Sequence, residues 1–252
     1  MTTDKNRSRS RRVADSPPTG PIGAAAIPRE PLLSVFRALH AAYGPQHWWP
    51  AETPFEVMLG AILTQNTAWT NVERAIARLA GQVPLEPTAI LGLAADALAE
   101  AIRPAGYFNV KAARLRAFCR DYLADGGYEG LVGLDTHDLR QRLLAIHGIG
   151  PESADDMLLY AFDRPVFVVD AYTRRVFTRL GLLAGDEGYE RIRQGFEAAL
   201  GPDVPLYNEY HALIVRHGKD WCRTRPRCDG CCLRERCPSA ALPEGVCSGV
   251  SR

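Results

Sequence analysis

Residues 148–155 read GIGPESAD, and the way this octapeptide is built decides the fold. Gly148 and Gly150 carry no Cβ, so the backbone between them is free to turn tightly and to approach a partner closely. Pro151 suits the first position of a helix, and PESADDMLLYAF continues with helical apolar spacing. The octapeptide is therefore the turn between two helices, THDLRQRLLAI before it and PESADDMLLYAF after it. Its N–H groups can point outward at the positive end of the second helix, a geometry that binds phosphate. The acid Glu152 stands out in that setting, either as a simple dipole partner in the first turn or as a pocket carboxylate.

Outward from the turn, the apolar period is helical almost throughout. Leu32, Phe36, Leu39 and Tyr43 share one face and Gly44 suits the exit; Val72, Ile76 and Leu79 form a second stripe. Leu115, Cys119 and Tyr122 form a third, and Leu139, Leu143 and Ile146 a fourth. Thr53, Pro54 and Glu56 spell a capping box at a helix start. DAYTRRVFTRLGLL, YERIRQGFEAALG and YNEYHALIVRHG are helical as well. Only PVFVVD, residues 165–170, has the β-branched density of a strand, and a single strand has nothing to pair with. The fold class is all-α.

Composition limits the partners. Of the 252 residues, 30 are Lys or Arg and 29 Asp or Glu, a formal net charge of +1, so any surface for a polyanion must be local. No apolar run has the length of a bilayer span and the N-terminus lacks a signal-peptide core, so the expected location is cytoplasmic, without a membrane partner. Residues 1–28 are rich in Arg, Ser, Pro and Gly and are expected to form a disordered basic tail, with 241–252 a second loose end.

Five of the seven cysteines lie in WCRTRPRCDGCCLRERC. Cys222, Cys228, Cys231 and Cys237 leave gaps of five, two and five residues, a compact four-thiolate set. Four thiolates close a tetrahedral zinc site or hold a cubane iron–sulfur cluster, and the spacing departs from the paired CxxC arms of zinc ribbons. A 4Fe-4S cluster is the favoured cofactor, with zinc as the alternative. Cys232 is a spectator, because using it would spoil the two-residue gap to Cys228. Arg223, Arg225, Arg227, Arg234 and Arg236 surround the thiolates and suit both the charge of a cluster and the gripping of phosphates.

The order of these pieces resembles the helix-hairpin-helix (HhH-GPD) DNA glycosylase superfamily of the endonuclease III type, over about Pro31 to Cys237. LTQNT at 63–67, GYFNVKAARL at 106–115 and VVDAYTRRVFTRLGL at 168–182 agree with it. HWWP, followed by ILTQNT, and the Glu, Ser, Ala, Asp run after the hairpin are nearest the 3-methyladenine glycosylase branch, some members of which lack a cluster. The resemblance implies two all-α lobes with a DNA groove between them: a six-helix bundle over 51–163, and a cluster domain joining 29–50 to 164–240. It also implies a DNA N-glycosylase of base excision repair, acting as a monomer on duplex DNA with damaged bases.

Roles follow residue by residue. The hairpin of Gly148 and Gly150 holds the DNA backbone. Bifunctional members carry a lysine shortly after the second hairpin glycine, where this chain has Pro151 and Glu152, so the expected enzyme is monofunctional. Asp170 would stabilise the oxocarbenium-like sugar, with Glu152 facing it across the cleft as the second catalytic carboxylate. Gln65 would fill the space left by the flipped base. Lys111, with Arg114, would touch phosphates, and Lys219 would be a phosphate contact, a pocket residue or a surface amine. Trp48 and Trp49 would form an aromatic wall for a cationic methylated purine, or else be core. The histidines show no ligand spacing and carry no assigned role. Two alternatives accompany this reading: an endonuclease III-like glycosylase and lyase acting on oxidised pyrimidines, and a non-catalytic iron–sulfur DNA-binding module.

Overall fold

The computed structural model describes residues 27–241. The expected loose ends, except for a residue or two at their inner margins, lie outside the described residues. The chain runs through α1 (Arg29–Tyr43), α2 (Pro54–Leu63), α3 (Trp69–Ala80), α4 (Pro87–Gly92), α5 (Ala95–Ala101) and α6 (Phe108–Ala124). It continues through α7 (Gly127–Val132), α8 (Thr136–Leu144), α9 (Pro151–Tyr160), α10 (Ala171–Arg179), α11 (Tyr189–Leu200) and α12 (Val204–Asp220). Among the described residues there is no strand.

The predicted caps form. Thr53 Oγ1 accepts from the Glu56 N–H at 3.1 Å, and the Glu56 carboxylate reaches back to the Glu52 N–H at 2.9 Å. Gly44 ends α1 at φ 68, a left-handed turn that glycine makes without steric cost. The stretch 51–163 holds eight α-helices rather than six. The short helices α4, α5 and α7 have only six or seven residues each, too few for an apolar stripe to repeat.

Two apolar cores organise the molecule. The first is built by α2 to α9 around Met58, Ile62, Leu79, Leu115, Phe118, Leu143 and Met157. The second joins α1 to α10, α11 and α12 through Leu32, Leu39, Phe177, Phe196, Tyr207 and Tyr210. Each such fully buried side chain contributes about 1.5–3 kcal/mol relative to exposure. Helix α9 serves both cores, Met157 and Leu158 facing the first and Leu159 the second.

The segment 165–170 is extended but pairs with no strand, so its β-branched residues have another purpose. Val166 packs in the first core, while Phe167, Val168 and Val169 pack in the second. Their density reflects complete burial, not a β-ladder. The Phe167 N–H is satisfied by Glu197 Oε1 at 3.0 Å instead. A polar knot also spans the two cores: Arg140 of α8 donates to Asp155 of α9 and to Glu190 of α11, each at 2.6 Å. Helix α9 and the extended segment after it thus form the seam on which the site is built.

Candidate active site and nucleic-acid interface

Asp170 ends the buried extended segment and caps α10, its Oδ1 accepting from the Thr173 N–H at 2.6 Å. It is only 8% exposed. Burial alone would raise its pKa, but His211, with Oδ2 3.7 Å from Nε2, and the Thr173 N–H outweigh burial and hold the carboxyl below its usual range. At that separation the His211 contact is an electrostatic one and not a hydrogen bond. Glu152, two residues past the hairpin on α9, is exposed by surface area, yet protein crowds its carboxyl. Burial, and then the Asp170 charge, push it up to about 7. The structure thus brings the two predicted carboxylates into one electrostatic field.

Three residues that sequence reasoning left unassigned complete this centre. His211 lies on α12, and its Nδ1 is 2.7 Å from the Tyr160 hydroxyl, across 51 residues of chain. Asp156 lies one turn after Glu152 on α9 and one turn before Tyr160; it is 7% exposed, and its Oδ1 has no hydrogen-bond partner. Burial, and then the charges of Glu152 and Asp170, raise its pKa well above the carboxylate range. The i, i+4, i+8 spacing of Glu152, Asp156 and Tyr160 is the one signal in the sequence that places them on a single helix face.

The tryptophans enter through Tyr160. Its ring lies 5.1 Å from that of Trp49, and Trp48 and Trp69 lie 5.2 and 4.9 Å from Trp49. Trp48 and Trp69 also meet edge to face at 5.0 Å. Trp48 and Trp49 are half-buried, and their indole N–H groups have no hydrogen-bond partner. Gly60 of α2 makes room for this packing, since a Cβ there would lie 3.0 Å from the Trp49 ring.

At the hairpin the two glycines divide their tasks. Gly148 adopts φ +89, and a Cβ there would lie 2.4 Å from Arg114 Cγ. Gly150, the N-cap of α9, is extended at φ −96 and ψ 176, a conformation open to any residue, and a Cβ there would meet nothing within 4 Å. The expectation that both glycines relieve the turn therefore holds for Gly148 alone. Gln65 is tied to the hairpin, its Nε2 donating to Gly148 O at 3.1 Å and to Ser153 Oγ at 2.9 Å, while its Oε1 accepts from Arg114.

Lys111 does not reach outward. It is 1% exposed, and its ammonium donates to Leu63 O, Thr67 Oγ1 and Ala105 O at 2.8, 2.7 and 2.8 Å. Burial, and then Arg114, lower its pKa to about 8. All three donors are spent on internal acceptors, so the predicted phosphate contact is corrected to a structural tie between α6 and the turns after α2 and α5. What reaches outward beside it is Tyr107, 71% exposed at φ 46. Tyr107, Val110, Gln65, Asn66, Lys111 and Arg114 line a recess of about 280 Å³. Lys219 lies exposed on the last turn of α12, where its carbonyl accepts from Arg223 Nε at 2.6 Å.

Cys222, Cys228, Cys231 and Cys237 line one recess of about 30 Å³; Cys232 does not line it. Arg179 donates to Cys222 Sγ at 3.3 Å and pins the loop through Arg223 O and Thr224 O. Among the described residues, no three His, Cys, Asp or Glu side chains are grouped to hold a single metal ion. Four thiols lining one recess are a donor set that fits a thiolate-bound group.

Comparison with known proteins gives the family. Residues 59–202 match the family model described as HhH-GPD superfamily base excision DNA repair protein. The chain is 48% identical over 213 residues to a Methanocaldococcus jannaschii protein named "Putative DNA repair glycosylase MJ1434", covering 83% of this chain and 97% of that one. The structure of H. pylori 3-methyladenine DNA glycosylase (MagIII) bound to 1,N6-ethenoadenine is similar at a TM-score of 0.66 and 30% identity, over 75% of this chain and 97% of that one. A non-covalent endonuclease III–DNA complex shares the fold at a TM-score of 0.73 and 20% identity, over 84% and 96%. The all-α fold, the hairpin and the matched length together identify the chain as a member of the HhH-GPD superfamily, a DNA glycosylase of base excision repair.

Proposed function

We propose that the protein is a monofunctional N-glycosylase that removes alkylated purines such as 3-methyladenine from duplex DNA. The observation that carries this reading is the file Asp170, His211, Tyr160, Trp49, which joins a buried, ionised carboxylate to an aromatic cluster. A methylated purine is already cationic, so it is drawn to indole faces. It departs with the electron pair of the C1′–N bond and needs no strong acid. The sugar cation left behind is stabilised by Asp170. Water then adds to C1′, and Glu152, with its pKa near neutrality, takes the proton.

Support for the hydrolytic route comes from the amines. The chain has three lysines, Lys5, Lys111 and Lys219. Lys111 is buried with its donors committed, Lys5 lies outside the described residues, and Lys219 is exposed at the end of α12. The hairpin offers Pro151 and Glu152 where a nucleophilic lysine would stand.

The two cores correspond, in this reading, to two lobes with the duplex across the hairpin. The first turn of α9 holds a phosphate, Gln65 and Tyr107 enter the stack, and the protein acts as a monomer. Cys222, Cys228, Cys231 and Cys237 would hold a 4Fe-4S cluster, which cross-links the loop and positions its arginines. Zinc is the alternative that metal analysis excludes or restores.

The test is incubation with duplexes bearing 3-methyladenine, 1,N6-ethenoadenine or an oxidised pyrimidine, scoring base release with and without later alkali. Release of the methylated purine, with strand breaks only after alkali and no borohydride-trapped adduct, is expected. Breaks without alkali, with a trapped adduct lost in Lys219→Ala, would establish the lyase reading. No release from any lesion would leave a DNA-binding module.

A further inference from the structure

Cys232 is adjacent to a proposed ligand yet stands outside the recess that the four ligands line. Its Sγ lies 3.8 Å from the Tyr43 hydroxyl, at the end of α1. That hydroxyl lies 2.8 Å from His217 Nδ1 on α12, and His217 Nε2 lies 3.7 Å from Cys231 Sγ. The contacts form an unbroken file from the spare thiol to a ligand thiol. It is held in place: His217 is 1% exposed, and the Arg216 guanidinium covers the Tyr43 ring at 4.9 Å.

The chemistry of the ends gives the file a direction. A ligand thiolate only accepts hydrogen bonds, so the N–H of a neutral, buried His217 belongs on Nε2. Nδ1 is then an acceptor and takes the Tyr43 O–H, whose oxygen in turn accepts the Cys232 S–H. Every donor has one acceptor, and all point toward Cys231. Donors arranged head to tail polarise one another, so a change at the far thiol is felt at the near one.

We propose that Cys232, Tyr43 and His217 form a one-way hydrogen-bond relay that ends on Cys231 and tunes the iron–sulfur group held there. The proposal rests on the iron–sulfur reading of the four cysteines. A hydrogen bond donated to a ligand sulfur favours the more negative, reduced state and so raises the reduction potential. Tyr43, His217 and Cys232 are thus positioning residues, and Cys232 is the end at which oxidation or alkylation would be transmitted to the cluster without touching a ligand.

The test uses the full chain purified without oxygen. Iron and sulfide are assayed, helix content is measured by circular dichroism, and the reduction potential is read by protein-film voltammetry. Tyr43→Phe and Cys232→Ala are each expected to keep iron, sulfide and helix content while shifting the potential negative, Tyr43→Phe by more because it breaks the file nearer the ligand. Cys232→Ser, which restores a donor to Tyr43, should return the potential toward wild type. Full iron content with unchanged potential in both Tyr43→Phe and Cys232→Ala overturns the relay and leaves the cluster standing. Wild-type protein without iron and sulfide overturns the cluster itself and the relay with it.

Discussion

His211 Nε2 stands 3.7 Å from Asp170 Oδ2, while the other nitrogen of the same ring is 2.7 Å from the Tyr160 hydroxyl. One imidazole therefore couples the carboxylate that would face the sugar to the aromatic residue on which Trp49 packs. In the proposed reaction, recognition of the base and stabilisation of the sugar would be linked through this single side chain on α12.

Asp170→Asn keeps the size of the side chain and an oxygen to accept the Thr173 N–H, so the α10 cap survives. It removes the charge. Single-turnover base release should fall by about a hundredfold or more, with DNA affinity near wild type. Full activity in this variant would reduce Asp170 to a helix cap and leave Glu152 as the candidate.

With Glu152 as the proposed proton acceptor, the reaction is expected to depend on pH near neutrality. Its carboxyl titrates at about 7, so it is neutral below that pH and anionic above it. If the anion takes the water proton, release should rise through an inflection near pH 7, and Glu152→Gln should abolish the inflection. Stability runs the other way. The folded pKa lies above the ordinary value of 4.5, so the penalty of ionised Glu152 beside Asp170 is present above about 7 and relieved as pH falls toward 4.5. Glu152→Gln should therefore melt higher than wild type at alkaline pH, with the gap closing in acid.

The tryptophans are tested by charge preference. Trp48→Ala and Trp49→Ala should weaken release of cationic 3-methyladenine more than release of neutral 1,N6-ethenoadenine, because a cation loses its attraction to the indole face as well as surface contact. Equal losses on both would make the pair core only.

The hairpin glycines are separable. Gly148→Ala should lower the melting temperature, since its φ of +89 and the Arg114 side chain both oppose a Cβ. Gly150→Ala should leave the melting temperature almost unchanged, because a Cβ there meets nothing within 4 Å. If a phosphate seats against it, DNA affinity should nevertheless drop severalfold, as measured by fluorescence anisotropy.

Lys111→Met removes three buried hydrogen bonds and strands the acceptor Leu63 O, while Thr67 Oγ1 and Ala105 O keep only their bond to each other. Denaturant unfolding should show a loss of about 3 kcal/mol. A surface phosphate contact would instead leave stability unchanged and weaken only DNA binding.

The sequence by itself determined the longer helices, the caps at Thr53 and Asp170, the hairpin and the cysteine set, because each is specified within a few residues. Thr53 caps the helix it precedes, Asp170 caps the helix that follows it, and four cysteines within 16 positions share one recess. The β-branched run at 165–170, read as a lone extended piece in an all-α chain, owes its density to burial between two cores. Where a local signal had two physical causes, it misled: Lys111 on a helix beside a turn proved to be an internal donor. Tertiary structure alone decided which side chains converge. His211 shares no period or motif with Asp170, and Tyr43 meets His217 across 174 residues. Such pairings depend on how α12 packs against α1, α9 and α10, which is set by the shape of the whole apolar core and by no short stretch of chain.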